Sequence, residues 1–259
     1  MATYLFDSLV FGPVRSRRFG NSLGINLLPV MYKFCTFNCI YCECGWTHHP
    51  DSDQTTLPTR TEISGALEKR LQALSESGNL PDNITFAGNG EPTLHPRFRE
   101  IIDDTLKLRN RYCPETMISV LSNSSIIHKP SIFEALNKVD NNVLKLDSVV
   151  EETFRILNQP YPSIDLPTII ENIRKFNGNQ IIQTLFIRGV FKGSNIDNTT
   201  KEEIGEWIRA MAEINPKYVM VYSIDRETAA GGLERVEAEE LDRIARKLEK
   251  KGIKSKVYV

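Results

Sequence analysis

Apolar residues along this chain alternate between two spacings. Short runs rich in β-branched and aromatic residues give way to longer stretches with apolar side chains three and four apart. The runs Gly24–Leu28, Ile84–Ala87, Met117–Leu121, Val143–Leu146, Ile181–Ile187 and Tyr218–Ser223 predict strands, and Lys254–Val259 is a candidate terminal strand. The stretches Glu62–Ser77, Arg97–Arg111, Ile132–Lys138, Leu166–Phe176, Lys201–Ile214 and Ala238–Lys250 predict helices, several of them preceded by Ser, Thr or Asp as caps. Strand and helix in alternation imply parallel strands joined by right-handed crossovers. An open doubly wound sheet and a complete or partial barrel share that pattern. Polar residues gather at the C-terminal strand ends: Asn89 and Glu91, Ser122 and Asn123, Asp147 and Ser148, Arg188, Asp225 and Arg226. Both architectures bind ligands at that edge. A contribution from every strand implies one mouth ringed by all of them, which favours an α/β, partial TIM-like (β/α)6 barrel with parallel strands. No linker or low-complexity segment divides the 259 residues, so residues 1–259 are expected to form one domain.

Composition narrows the setting. With 41% hydrophobic residues the chain can bury a full core, and no run of about 18 apolar residues offers a membrane span. The start, Met-Ala-Thr-Tyr-Leu-Phe-Asp, lacks the basic and apolar segments of a signal peptide, so the cytoplasm is the expected compartment. A net charge of −1 is not that of a dedicated nucleic-acid binder. Local basic groups at Arg15, Arg17 and Arg18, and at Lys107, Arg109 and Arg111, leave an RNA substrate neither supported nor excluded. Arg17 and Arg18 read equally well as salt-bridge partners or as anion contacts.

The chemistry lies in the cysteines. Four of the five fall between positions 35 and 44, which is no disulfide framework, and in a reducing compartment such clustering reads as metal binding. Cys35, Cys39 and Cys42 form C-x3-C-x2-C in a long irregular stretch after the first predicted strand, Cys35–Thr61. Thiolates are soft ligands for zinc, copper(I) and iron–sulfur clusters. A closed site takes four protein ligands, so three leave a position open to substrate or cofactor. Two other readings stand beside this one. The same spacing lies on one helix face and would bury three small apolar groups, although Gly45, Pro50 and the polar residues beyond argue against a long helix. A structural zinc would add Cys44, or His48 or His49, although Cys42 and Cys44 make an awkward chelate. A second cluster would need Cys44 or a partner chain, since only Cys113 remains.

A second candidate ends the predicted strand at Ile84–Ala87: Gly88, Asn89, Gly90, Glu91 and Pro92. Glycines let backbone groups approach a ligand closely, and Glu91 can accept hydrogen bonds from a cationic amino group. Alone, such a turn is a weak signal. Further along, Lys145 and Asp147 share one strand face by alternation, where a buried pair would shift each other's ionisation.

Together, C-x3-C-x-aromatic-C with Tyr41 in the aromatic position, and the turn at 88–92, resemble the two signatures of the radical S-adenosylmethionine (radical SAM) enzymes. The resemblance covers nearly the whole chain. It implies that Cys35, Cys39 and Cys42 hold three irons of a 4Fe–4S cluster, with S-adenosylmethionine chelating the fourth. One electron then cleaves the sulfonium, and the resulting 5′-deoxyadenosyl radical takes hydrogen from a substrate. It also implies that Tyr41, Gly88, Asn89, Gly90, Glu91, Asn123, Asp147 and Arg188 contact the cofactor, and that a flavodoxin- or ferredoxin-like protein donates the electron. Asn89 departs from the usual Gly-Gly-Glu, which bears on the backbone contact made there. The run Phe11–Leu27 and the stretch Val221-Tyr-Ser-Ile-Asp-Arg resemble a small bacterial and archaeal subgroup, related by sequence to enzymes that form wyosine bases in tRNA. The chain lacks their additional N-terminal cysteine set. So short a build implies an uncovered mouth suited to a protein loop or RNA, with tRNA modification and glycyl-radical protein activation as the uses within the class. A non-catalytic zinc module is the reading outside it.

Overall fold

The computed structural model describes residues 4–47 and 56–259. Its main sheet has eight strands: β1 (Val10–Ser16), β2 (Gly20–Ile25), β3 (Asn83–Phe86), β4 (Met117–Ser122), β5 (Asn141–Lys145), β6 (Gln180–Leu185), β9 (Tyr218–Tyr222) and β11 (Ser255–Tyr258), side by side in that order. Every pairing is parallel except β1 with β2, and the sheet curls into an open half-barrel. Helices α1 (Arg60–Glu76), α2 (Phe98–Tyr112), α3 (Pro130–Leu136), α4 (Glu151–Asn158), α5 (Leu166–Arg174), α6 (Lys201–Ile214) and α7 (Ala238–Glu249) make the crossovers. The expected partial (β/α)6 architecture is present, and the terminal strand is β11.

Two apolar faces explain the curl. Ile84, Phe86, Ile118, Val120, Leu144, Ile182, Val219 and Val221 are fully buried and join the main core with the helices. Helix α1 contributes Ile63, Leu67, Leu71 and Leu74, a stripe at helical spacing, each worth roughly 1.5–3 kcal/mol on burial. It starts at a capping box in which Thr59 and Glu62 satisfy each other's backbone amides. The concave face is a separate, smaller cluster: Val143, Ile181 and Met220 with Leu121, Phe19, Tyr218 and Tyr258. By alternation, Lys145, Gln183 and Tyr222 point to that same side.

Three departures from the sequence reading matter for the site. The cysteine stretch follows the second strand, because β1 precedes β2 as the arm of a hairpin. The β1 segment carries Gly12-Pro13, which reads as a break. It is tolerated because β1 is an edge strand and its register shifts between Phe11 and Val14. Next, the run Ile181–Ile187 is two strands. The barrel strand ends at Leu185, and β7 (Ile187–Phe191) turns away to form a three-stranded antiparallel sheet with β8 (Ser194–Asp197) and β10 (Leu233–Arg235). Finally, α4 fills a stretch for which no helix is expected.

Candidate active site

The cysteine loop is held by backbone hydrogen bonds from two sides. On one side Phe34 makes a parallel bridge to Gly90: Phe34 N–H donates to Asn89 O at 2.8 Å, and Glu91 N–H donates to Phe34 O at 3.1 Å. Gly90 has φ +141°, and a Cβ there would overlap the Phe34 carbonyl oxygen and lie 2.5 Å from its carbon. The glycine turn therefore makes room for the cysteine loop itself. On the other side stands the C-terminal end of α4. Leu157 O accepts from Ile40 N–H at 3.0 Å, Asn158 O accepts from Asn38 N–H at 2.9 Å, and Tyr161 N–H donates to Thr36 O at 3.1 Å. The last carbonyls of a helix lack internal partners, and here the loop supplies them. Ala230 N–H donates to Ile40 O at 2.8 Å from the segment before β10.

Within this frame Cys35 and Cys39 are buried, Cys42 and Cys44 are half-buried, and all are free thiols. Asn123 Nδ2 lies 3.5 Å from Cys35 Sγ, and Asn158 Nδ2 lies 3.4 Å from Cys39 Sγ. Lys33 is buried in the same group, donating to Gly45 O at 3.1 Å. Burial opposes its charge, but Cys42, Cys35 and Cys39 together raise its pKa above the ordinary lysine value. Burial pushes the Cys35 thiol up to about 12 despite Lys33, and raises Cys39 against the pull of Lys145 and Lys33. Cys42 is the exception: the hydrogen bond from Cys44 is the main influence that lowers it, and Cys44 is raised in return. Among the described residues no three His, Cys, Asp or Glu side chains close on a single ion. His48 and His49, the alternative zinc ligands, lie outside the described residues.

Beside Cys39 lies a buried polar network. The Tyr41 hydroxyl donates to Asp147 Oδ2, which also accepts from Asn158 Nδ2 at 2.8 Å. Lys145 Nζ reaches Tyr41 Oη at 2.7 Å and Asp147 Oδ2 at 3.5 Å. The Asp147 Oδ1 accepts from Leu185 N–H at 3.0 Å, at the point where the chain leaves the barrel. Burial disfavours the Lys145 charge, yet Asp147, with Tyr222 and the thiols, outweighs it and raises its pKa. Burial, then Asp147, holds Tyr41 well above the ordinary phenol value.

The other predicted residues divide. Gly88 borders the thiols, and its carbonyl accepts from Cys44 Sγ at 3.6 Å. Asn89 turns its side chain away from them: Nδ2 donates to Phe6 O and Pro29 O, both at 2.9 Å, and Oδ1 accepts from Phe6 N–H at 2.9 Å. Glu91 is buried and binds the chain itself. It accepts from Thr93 Oγ1 at 2.5 Å, Ser122 Oγ at 2.9 Å and Asn123 N–H at 2.5 Å. Burial raises its pKa against those bonds. Arg188 is not brought into this group. It lies on β7, bound to Asp197 at 3.3 Å, Thr199 at 2.5 Å and Glu240. Two site residues went unassigned in the sequence. Lys33 stands two positions before the first cysteine, where a lone cation among thiols was a usable signal. Asn158 carried no signal, because α4 itself was not foreseen.

The residues present fit an iron–sulfur group with an organic ligand. Three soft donors share one loop, a lysine offsets their charge, and Asn158 Oδ1 is buried without a partner. A cleft of about 330 Å³ opens beside Tyr41, Cys42 and Gly88.

A half-barrel whose first parallel strand leads into a three-thiol loop defines a class of iron–sulfur enzymes. A profile of the Radical SAM superfamily matches residues 30–201, and the chain belongs to that superfamily. Its members use a 4Fe–4S cluster and S-adenosylmethionine. It is 34% identical to a UPF0026 protein of Helicobacter pylori (strain 26695) over 191 residues, 72% of this chain and 59% of the relative. It is 28% identical over 238 residues to a Brachyspira hyodysenteriae protein described as GTPase Obg, 90% of this chain but 32% of that protein. The matched chain has no G-x4-G-K-[ST] phosphate loop. The chain spans about a third and three-fifths of the length of these two relatives. Among solved structures, TYW1 with a lysine-pyruvate adduct bound superposes with a TM-score of 0.61 at 13% identity, over 88% of this chain and 73% of that one. Among the described residues no helix is long and apolar enough to cross a membrane.

Proposed function

We propose that Cys35, Cys39 and Cys42 ligate the 4Fe–4S cluster, that S-adenosylmethionine lies across Tyr41, Gly88 and Asn123, and that residues 1–259 act as one core domain abstracting hydrogen from a substrate inside the half-barrel. The observation that carries this reading is the docking of the thiol loop onto the glycine turn at the barrel mouth, through Phe34 and Gly90. When reduced by one electron, the bound pair supplies a carbon-centred radical. The chain's own residues prepare the place. Lys33 offsets thiolate charge in a buried setting, while Asn123 and Asn158 present amide N–H groups to Cys35 and Cys39. Asp147 and Lys145 fix the Tyr41 ring, and Glu91 holds the end of β4 so that Asn123 faces the thiols. Asn89 contributes through its backbone, since its side chain is engaged with Phe6 and Pro29. Arg188 would reach the cofactor only by leaving Asp197, Thr199 and Glu240. The electron donor is a flavodoxin- or ferredoxin-like protein of the reducing cytoplasm, and the substrate is a protein segment or RNA.

Anaerobic reconstitution with iron, sulfide and S-adenosylmethionine, then dithionite, is expected to yield 5′-deoxyadenosine. None formed with a cluster demonstrably present would overturn the reading. The contact between Cys42 and Cys44 is what a four-thiolate zinc module would also use. Metal analysis of Cys44→Ser separates the two: the cluster reading expects iron retained, the zinc reading expects the metal lost.

A further inference from the structure

Among the described residues, the cleft on the concave face of the half-barrel is lined by a half-buried cation that no acid neutralises. Arg18 lies at the tip of the β1–β2 hairpin, which folds inward so that Phe19 packs on Val143, Ile181 and Met220. Arg18 Nη1 donates to Gln183 Oε1 at 2.8 Å, and its guanidinium carbon stands 5.1 Å from the centre of the Tyr222 ring. Gln183 pairs in register with Lys145 on one side and Met220 on the other, so Arg18 is held at the level of Lys145. The other two cations lining the cleft are paired, Arg17 with Asp225 at 3.5 Å and Arg226 with Glu43 at 2.9 Å, and so is Lys145, with Asp147 at 3.5 Å. Arg18 has no carboxylate at ion-pair distance among the described residues, yet it is half-buried and lines the 330 Å³ cleft with Tyr41, Cys42 and Tyr222.

A guanidinium carries five N–H donors in a planar fork, and Gln183 takes one. Stacked on Tyr222 and propped by an amide, the fork is oriented before anything binds. Such a group suits a two-point contact with a carboxylate or phosphate. We propose that Arg18 is the anion-binding residue of the substrate site and that the substrate carries an oxyanion, a carboxylate or a phosphate, seated on the concave face below Cys42. The inference rests on the radical SAM reading for its word substrate; the anion site itself does not need the cluster.

Calorimetric titration of the reconstituted full chain, saturated with S-adenosylmethionine, tests it with succinate as the carboxylate probe and inorganic phosphate as the phosphate probe. Saturable binding of one probe is expected, and the arm that binds identifies the source of the oxyanion. Arg18→Gln should weaken it by about tenfold to a hundredfold, the range of a lost charge-assisted hydrogen bond, and Arg17→Gln should not. Arg18→Lys, which keeps the charge but not the fork, should fall between, and it carries the test if Arg18→Gln does not fold. No binding of either probe, or equal binding by wild type and the Arg18 variants, overturns the proposal. So does a loss of S-adenosylmethionine affinity in Arg18→Gln with probe binding unchanged, which would make Arg18 a cofactor contact. If no 5′-deoxyadenosine forms but Arg18-dependent anion binding persists, the radical reading fails and the anion site stands.

Discussion

Gly90→Ala tests whether the glycine turn exists to seat the cysteine loop. The added Cβ would overlap the carbonyl oxygen of Phe34 and come within 2.5 Å of its carbon. Those are backbone atoms inside a bridge, so no side-chain rotation relieves the overlap. Alanine at φ +141° is strained as well, at roughly 1–3 kcal/mol. If the loop lifts away, the bonds from Phe34 N–H to Asn89 O and from Glu91 N–H to Phe34 O are lost, about 1 kcal/mol each. Strain and lost bonds together come to about 3–5 kcal/mol, a large share of the roughly 5–15 kcal/mol that holds a domain together. Gly88→Ala is the comparison. Its Cβ would meet the side chain of Asn26, 2.7 Å from Cγ and 2.8 Å from Cβ; Asn26 is buried and bound to Leu28 and to Asn89 N–H, so its displacement should cost about 2–3 kcal/mol in lost hydrogen bonds while leaving the Phe34 bridge in place. Urea unfolding gives the stabilities, and iron content after anaerobic reconstitution reports whether the loop still holds metal. Gly90→Ala should lose both stability and iron, whereas Gly88→Ala, which leaves the Phe34 bridge untouched, should lose stability and keep more of its iron. A Gly90→Ala protein with wild-type midpoint and full iron would refute the steric account.

Asn89→Ala should cost about 2–4 kcal/mol by urea unfolding, since it leaves backbone groups of half-buried Phe6 and buried Pro29 without partners, and limited proteolysis should cut earlier within residues 4–9. Asp104 accepts a two-point contact from Arg60, Nε and Nη2 both at 2.6 Å, and that guanidinium, with Ser64, holds its carboxyl below the usual carboxylate range. The folded chain thus gives up this proton at lower pH than the unfolded chain. The stabilisation is complete above about pH 4 and vanishes as pH falls through the depressed value. With Arg60 40% exposed, Asp104→Asn should cost only about 1 kcal/mol at pH 7, and progressively less as the pH falls below the ordinary carboxylate value; a cost that does not shrink with acid would refute the pairing. Lys33→Met removes the buried cation among the thiols and should make the cluster harder to reduce, read as a more negative midpoint in an EPR-monitored redox titration.

The barrel strands and most of the helices were legible because each carries its own apolar period: α1 shows four buried residues on one stripe, and β3 is buried throughout. The cysteines and the 88–92 turn were legible because their chemistry is local. What escaped has a common cause. Helix α4 has eight residues, too few for a period to declare itself, and it exists because Phe154 and Leu157 bury against the core. Strands β7, β8 and β10 are short and mostly half-exposed, and while β7 and β8 form a tight hairpin, β10 joins β7 from far along the chain. Arg188 read as a strand-end ligand because Ile181–Ile187 read as one strand. Once the chain turns out of the barrel at Leu185, that side chain falls on another sheet.

One of the two supports that position the thiols, the end of α4 with the segment before β10, was hidden from the sequence. A loop of C-x3-C-x2-C can place its sulfurs only if its backbone amides are satisfied elsewhere, because it has no ladder of its own. One set of partners comes from the glycine turn; the other comes from the frayed carbonyls of α4 and from the segment leading to β10. The side chains repeat the division. Asn123, at the end of β4, reaches Cys35; Asn158, at the end of α4, reaches Cys39 and also Asp147, which fixes Tyr41. The position of Tyr41 is thus set from β5 and α4 rather than by the loop that carries it. The loop is tied to the sheet at Phe34 and to the helix layer at residues 36–40, so a shift of α4 against the sheet would separate Cys39 from Cys35. Geometry at the thiols is therefore a property of how helix layer and half-barrel pack, and core substitutions under α4, at Phe154 or Leu157, belong to the active site as much as Asn158 does.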